Sequence, residues 1–301
     1  MLTVLFCADP VNPRRTDEHF ARESMAVRDA GGTVALIDHD ALVRGDAAEA
    51  VRRVQRDLGP AWYRGWMVTS GQYAELAKGL KERGVSLVTR PGDYARAHEL
   101  PGWHETFEGL TPSSVWLPVT PGRVPSAETL ARLVQDLPDG PGMVKDYVKS
   151  RKHEWEEACF VPDLRDAKAL HRTVARMIEL QGQDLAGGVV IRAYEQYDGG
   201  EARVWWVDGE PVLIGPHPDS PDVLPDPRLD AVRPVVRTLG CRFITTDLAR
   251  RADGVRGPSG WRGVDAGEWR VVEVGDGQVS DLPVTVDPME LYEQLPGGFL
   301  V

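Results

Sequence analysis

Four basic side chains, Lys145, Lys149, Arg151 and Lys152, fall close together in a chain that is otherwise acidic. Val144, Tyr147 and Val148 give the stretch from Gly142 to Trp155 strand character, and Gly140 and Gly142 mark a turn before it. Alternate side chains of a strand share a face, which aligns Met143, Lys145, Tyr147, Lys149 and Arg151. Neighbouring ammonium groups repel unless an anion sits between them. A polyphosphate fits that need, because lysine acts as a point charge on phosphate oxygens. The alternative is an exposed edge strand whose lysines keep other chains from pairing with it. Farther along, Asp247 and Glu273 are each a carboxylate inside a short apolar strand, where a charge is costly unless paired or metal-bound. Two such acids, in a chain that also presents a lysine pair, suit Mg2+ bridging ATP phosphates, since Mg2+ takes one or two carboxylates plus substrate phosphates. Asp276, in the turn Gly275-Asp276-Gly277, is a candidate third ligand. The competing reading has these acids facing solvent or bonded to Arg203.

The elements that must position these groups form an α/β (α+β) chain. Short apolar runs at Leu2–Cys7, Thr33–Ile37, Ala61–Val68 and Val85–Thr89 alternate with helical stretches, among them 46–58 and a helix capped by Ser70. That alternation predicts a parallel sheet flanked by helices. Ligands gather at the carboxyl ends of such strands, where Arg14, Arg15, Arg64 and Arg90 stand as candidate anchors for a substrate carboxylate or phosphate. The alternative for each is a surface or interdomain ion pair. No G-x-G-x-x-G or G-x-x-x-x-G-K-[ST] follows any strand, so the dinucleotide fingerprint and the P-loop are both missing. His98 and His104 carry little signal. Prolines near 118–124 suggest a domain boundary. Beyond it come strands at 156–161 and 188–195, a hairpin about Asp208-Gly209, a proline-rich loop from His217 to Pro227, and the two acid-bearing strands. The long glycine-rich segment Arg250 to Gly267 between those strands has the composition of a lid.

With 301 residues, 42% of them hydrophobic, the chain has material for two domains or one large one. The formal net charge of −11 argues against a broad nucleic-acid or anionic-membrane surface and leaves room for one local basic pocket. Cys7, Cys159 and Cys241 have no metal-ligand spacing and read as reduced core thiols of a cytoplasmic protein. The opening run reads as a first strand and not as a signal peptide, and no apolar run reaches membrane-spanning length.

Five motifs in order carry a resemblance: Val-Lys145-Asp-Tyr-Val-Lys149-Ser, Val-Val-Ile-Arg192-Ala-Tyr-Glu195, Gly-Glu201-Ala-Arg203-Val-Trp-Trp, Thr-Asp247-Leu and Val-Val-Glu273-Val. The chain resembles the ATP-grasp superfamily. With Tyr63-Arg64-Gly65-Trp66 and Asp276-Gly-Gln-Val-Ser280, it is similar to the clade named for two arginines and a lysine. The resemblance implies ATP held between two antiparallel sheets. It divides the chain into an N-terminal substrate domain (1–120), a small subdomain (121–195) and a C-terminal subdomain with the metal site (196–301). By the same resemblance, Lys145 and Lys149 contact ATP phosphates, and Arg192, Ala193, Tyr194 and Glu195 form the hinge at the adenine. Glu201 meets the ribose or supports the hinge, and Arg203 approaches the γ-phosphate, acting in catalysis with Lys149 and Arg192. Asp247 and Glu273 hold Mg2+. The superfamily often places Asn two residues after this Glu, where this chain has Gly275, so Asp276 or water would complete the site. The implied chemistry is carboxylate–amine ligation through an acylphosphate, on an amino acid or peptide. A small-molecule kinase and a nucleotide-binding regulator without turnover are the alternatives. The implied partners are carboxylate and amine substrates, with a homodimer plausible.

Overall fold

The computed structural model describes residues 1–223, 226–252 and 268–297. Most of the expected lid, from 253 onward, lies outside the described residues.

The N-terminal apolar runs form β1 (Thr3–Cys7), β2 (Thr33–Ile37), β3 (Gly59–Arg64) and β4 (Val85–Leu87). They make a parallel sheet in the order β2-β1-β3-β4. Every residue of β1 is buried, as in a strand with packing on both faces. The expected helix over 46–58 is one turn, Ala47–Ala50, capped by Asp46. Val51 and Val54 are buried without it, and Arg83 binds the Val54 carbonyl at 2.6 and 2.9 Å. Thr69, not Ser70, caps the helix Ser70–Lys81, in a reciprocal arrangement with Gln72.

A second, antiparallel sheet has the order β5-β8-β6-β7, from β5 (Ser114–Pro118), β6 (Gly142–Lys145), β7 (Phe160–Val161) and β8 (Gly188–Ala193). β5 precedes the proline cluster at 118–124 yet pairs with β8, Val115 opposite Ile191. The helix Ala167–Gln181 packs Leu170, Val174, Met177 and Ile178 into the core of this sheet. The strand expected from Gly142 to Trp155 stops at Lys145. Asp146 ends it: its Oδ1 accepts from the amides of Val148 (2.7 Å) and Lys149 (2.5 Å), and its Oδ2 from Gln181 Nε2 (2.7 Å). The chain turns there, so Lys145 and Lys149 do not share a strand face. Trp155–Cys159 is a π-helical turn, leaving only Phe160–Val161 of the strand expected at 156–161.

A third sheet, also antiparallel, runs β10-β9-β11-β12, from β9 (Tyr197–Val207), β10 (Glu210–Pro216), β11 (Phe243–Arg251) and β12 (Trp269–Asp276). The β9–β10 hairpin turns at Asp208 (φ 49°) and Gly209 (φ 82°), the positive-φ pair its sequence predicts. The first and third sheets are not separately cored. Trp205 and Phe243 of the third sheet, with Leu291 and Tyr292 of the helix Pro288–Tyr292, join the core of the parallel sheet. Gly65 sits at this seam, where a Cβ would lie 2.5 Å from Tyr63 Oη and 2.6 Å from Cys7 Sγ. All three cysteines are free and buried, and burial pushes the Cys7 and Cys159 thiols up to about 11. Among the described residues, no helix is long and apolar enough to cross a membrane.

Candidate active site

The two antiparallel sheets face each other across a row of charges. On β11, Asp247 is directly opposite Glu273 of β12 and Arg203 of β9. A register shift after Asp247 marks a bulge beside this row. Arg203 grips Asp247 with both arms, Nε to Oδ1 and Nη2 to Oδ2, each at 2.8 Å. Burial pushes the Asp247 carboxyl up, but the charge and hydrogen bonds of Arg203, with His217, outweigh it and hold Asp247 well below the usual carboxylate range. From the facing sheet, Lys145 Nζ lies 3.3 Å from Glu273 Oε1 and is itself buried. Lys152, in the β6–β7 connection, pairs with Asp219 at 3.3 Å. Burial alone would lower its pKa, yet Glu201, Glu273 and Asp219 raise it, so those acids surround it.

His217 completes the cluster. It follows β10, its amide bonds to the Glu201 carbonyl (3.0 Å), and its Nε2 stands 3.3 Å from Asp247 Oδ2. Its Nδ1 accepts the Asp219 N–H at 3.1 Å, which fixes the neutral Nε2–H tautomer. The ligand atoms of Glu201, His217 and Asp247 lie within 4.8 Å of one another. Sequence reading placed His217 in a proline-rich loop and missed it, together with Lys152 as a site residue. His98, weak in sequence, is buried at this cleft, packed on Tyr94 with centroids 4.8 Å apart, and burial pushes it down to about 4. It is therefore uncharged at neutral pH.

At the junction of the two sheets, the Ala193 amide bonds to Ser113 O (2.8 Å) and the Tyr194 amide to Pro141 O (3.0 Å). The half-exposed Tyr194 ring sits edge-on to Trp155 and Phe160, which stack on each other at 5.3 Å. Glu195 is held on both oxygens by Arg270 at 2.9 Å. Arg192 is buried, bonded to Ser114 Oγ (3.0 Å) and the Val272 carbonyl, and its Nη2 has no hydrogen-bond partner among the described residues. The side chains of Arg192 and Glu195 thus hold sheet to sheet, leaving the backbone and the aromatic trio at the cleft edge.

A family model for the ATP-grasp domain, the third family of the clade named for two arginines and a lysine, matches residues 134–256 and 260–295, more than half of the chain. The chain belongs to this ATP-grasp family. Three solved structures share the fold. The RimK domain protein ATP-grasp from Sphaerobacter thermophilus DSM 20745 has a TM-score of 0.56 at 12% identity over 92% of each chain. D-cycloserine synthetase DcsG has 0.55 at 17% identity over 91% of each. D-alanine–D-alanine ligase from Bacillus anthracis, complexed with ATP, has 0.54 at 14% identity over 96% of this chain and 90% of that one. No curated protein matches the chain in sequence.

Two expected site residues of this ATP-grasp protein sit elsewhere. Asp276 lies three residues beyond Glu273, so strand alternation sends it to the opposite face. It is buried at the seam with the parallel sheet, where Oδ1 accepts from Gln278 N (2.9 Å) and Nε2 (3.0 Å), and it is not a third ligand. Burial lifts its carboxyl to about 7. A carboxyl raised on folding carries no penalty below its unfolded value, a growing one through the folded value, and the full one above. Asp276→Asn should therefore gain about 2–4 kcal/mol on the unaltered chain between pH 4 and pH 8. Urea unfolding at both pH values checks this, and a constant gap refutes it.

Arg64, the second, is 1% exposed and engaged on every side. It pairs with Glu23 through Nε and Nη2 (2.8 Å each), and its Nη1 reaches the carbonyls of Gln278 (3.1 Å) and Ser280 (2.8 Å). It is out of a substrate's reach. Lys149 is exposed at the Asp146 turn, and its charge, with those of Glu273 and Lys145, reaches His98 at the cleft. Arg14, Arg15 and Arg90 are exposed, and Arg14 lines a cavity of about 420 Å³ along β2 with Arg28 and Arg53. A different cavity, of about 330 Å³, opens at the carboxyl ends of β1 and β2, with Trp66 beyond β3 on its wall. Its walls include Asp9, Asp17, Asp38 and Trp66. Trp66 Nε1 donates to Asp17 (3.0 Å), its ring packs on His19 (4.6 Å), and His19 pairs with Asp281 (2.9 Å).

Proposed function

We propose that this protein is an ATP-dependent carboxylate–amine ligase acting on an amino acid or peptide. One observation carries the reading: three cations and their acids, Lys145–Glu273, Arg203–Asp247 and Lys152–Asp219, converge between two antiparallel sheets. Each pair is ready to exchange partners. Lys145, Lys152 and Arg203 would hold the phosphate oxygens of ATP, which would free acids of the row to hold a divalent cation. Carboxylates for such an ion are at hand: Asp247 and Glu273 are cross-strand neighbours, and Glu201 lies beside Asp247. Bound there, Mg2+ or an ion of similar size would neutralise charge on the transferring phosphoryl group.

The remaining work falls to side chains of this chain. A substrate carboxylate oxygen attacks the γ-phosphorus, the bond to the β-phosphate oxygen breaks, and ADP leaves. Arg203 stabilises the charge spread over the γ-oxygens, and Lys145 holds the nucleotide in line. An amine then attacks the acyl carbon of the acylphosphate, phosphate departs, and the nitrogen loses a proton. We place the substrates in the crevice beside Trp66 and Asp17. Trp155, Phe160 and Tyr194 supply an apolar edge for the adenine.

The decisive experiment is ADP and phosphate release with Mg·ATP against pooled amino acids and short peptides, with mass spectrometry of the mixtures. The ligase yields a product lighter than its two substrates by one water. A stable phosphorylated product makes it a kinase, and nucleotide binding without turnover makes it a regulator. Lys145→Ala should weaken binding of a non-hydrolysable ATP analogue about 10–100-fold, the loss of a charge-assisted phosphate contact. Calorimetric titration measures this, and unchanged affinity removes Lys145 from the site.

A further inference from the structure

We propose that this protein binds its divalent cation through Glu201, His217 and Asp247, an oxygen–nitrogen–oxygen set that favours Mn2+ over Mg2+. The inference rests on the reading above only in expecting a cation. Three adjacent strands of the third sheet deliver the donors. Asp247 lies on β11 and Glu201 diagonally across on β9, where Glu201 pairs with Ala249. His217 leaves the end of β10 and is tied back through its amide to Glu201 O at 3.0 Å. Asp247 and His217 are 4% and 8% exposed, so the site has the protected interior a protein-held ion needs. Among the described residues, this is the group of three whose ligand atoms lie within 4.8 Å of one another, and Glu273 is not part of it. Glu273 points to Lys145 across the cleft.

A third donor from β12 is sterically disfavoured. At Gly275, two residues past Glu273, a Cβ would stand 3.0 Å from Thr245 Oγ1, whose hydroxyl is bonded to Ser280 at 2.8 Å. A ligating side chain there would have to displace that pair. His217 brings the third donor from the other side of the row.

Ligation by Nε2 requires one proton to move. Nε2 must give up its hydrogen and Nδ1 must carry one instead. Nδ1 now accepts the Asp219 N–H, and the Asp219 carboxylate waits 3.8 Å away. A small rotation turns Asp219 into the acceptor of Nδ1–H, the arrangement that orients most metal-bound histidines. The charges balance, because two carboxylates face a doubly charged ion and the imidazole stays neutral. Each Asp247 oxygen keeps a lone pair beyond the one Arg203 uses, so the ion need not evict Arg203 before phosphate arrives. An imidazole in the set suits a transition metal better than Mg2+, which prefers oxygen throughout.

Electron paramagnetic resonance of Mn2+ added to the full chain tests this, with and without a non-hydrolysable ATP analogue. The expected spectrum shows echo modulation from one imidazole nitrogen, altered by 15N-histidine labelling. His217→Gln and His217→Asn should abolish the modulation and weaken Mn2+ binding at least tenfold. Glu273→Gln should keep the modulation. Mn2+ bound without nitrogen modulation, or modulation that survives in both His217 variants, overturns the assignment. The labelled unaltered chain decides the matter if neither variant folds. No turnover enters the readout, so a chain that ligates nothing can still support the assignment.

Discussion

Arg203→Ala should lower ATP turnover about 10³-fold or more, the scale on which an arginine at a transferring phosphoryl group acts. Two effects combine. The γ-oxygens lose their stabilising cation, and Asp247 loses the partner that holds its charge. The second effect has its own signature. In the unaltered chain the depressed Asp247 carboxyl contributes stability above its unfolded value of about 4, and that stability fades only as pH falls toward the lower folded value. Without Arg203, burial dominates and the carboxyl rises, so the sign reverses and stability falls as pH climbs past about 4. Thermal melts from pH 4 to 8 should therefore slope downward for Arg203→Ala relative to the unaltered chain. Arg203→Lys should recover most of the melting behaviour and little of the rate, because an ammonium restores charge but not the two-armed geometry. A variant with unchanged turnover would remove Arg203 from the reaction.

Arg64→Ala should cost about 3–5 kcal/mol of stability, the range for removing one partner of a buried ion pair. The loss strands Glu23 in the core beside Tyr292 Oη, which donates to it at 2.5 Å. It also leaves the carbonyls of Gln278 and Ser280 without the guanidinium that binds them. Arg64→Lys should recover only part of this, since one ammonium cannot span Glu23 and the 278–280 backbone together. Denaturant unfolding measures both. A loss below about 1 kcal/mol would mean that solvent reaches the pair, since exposed ion pairs contribute no more than that.

These two arginines show what was legible. Asp247 and Glu273 stand out because a charge in an apolar strand needs a partner, and strand pairing sets Asp247 between Arg203 and Glu273; the role of Arg203 comes from the family resemblance. Arg64 also stood at a strand end. A strand-end cation looks the same in sequence whether it reaches for a ligand or for a glutamate on a helix 41 positions upstream. Lys149 leaves the strand face expected of it for a local reason: the alternation of a strand predicts nothing once Asp146 has captured two amides and turned the chain. Asp276 failed avoidably, since an odd spacing from Glu273 already places it on the other face. His217 gave no sign. Prolines around it announce a loop, and no pattern tells that the loop folds back over β11. The parallel sheet was read easily, because its strands leave short apolar runs between helical stretches, with β1 buried along its whole length.

The Arg64 clamp also bears on how the chain is made. Its carbonyl partner at Gly277 lies 213 residues further along. A nascent chain that has released the parallel sheet still carries a guanidinium with only Glu23 to meet it, and a core missing Trp205, Phe243 and Tyr292. Folding of the first sheet therefore waits for the third. Ribosome-bound chains truncated before residue 277 should stay sensitive to protease within the first sheet, whose resistance should arrive late, after the third sheet is made.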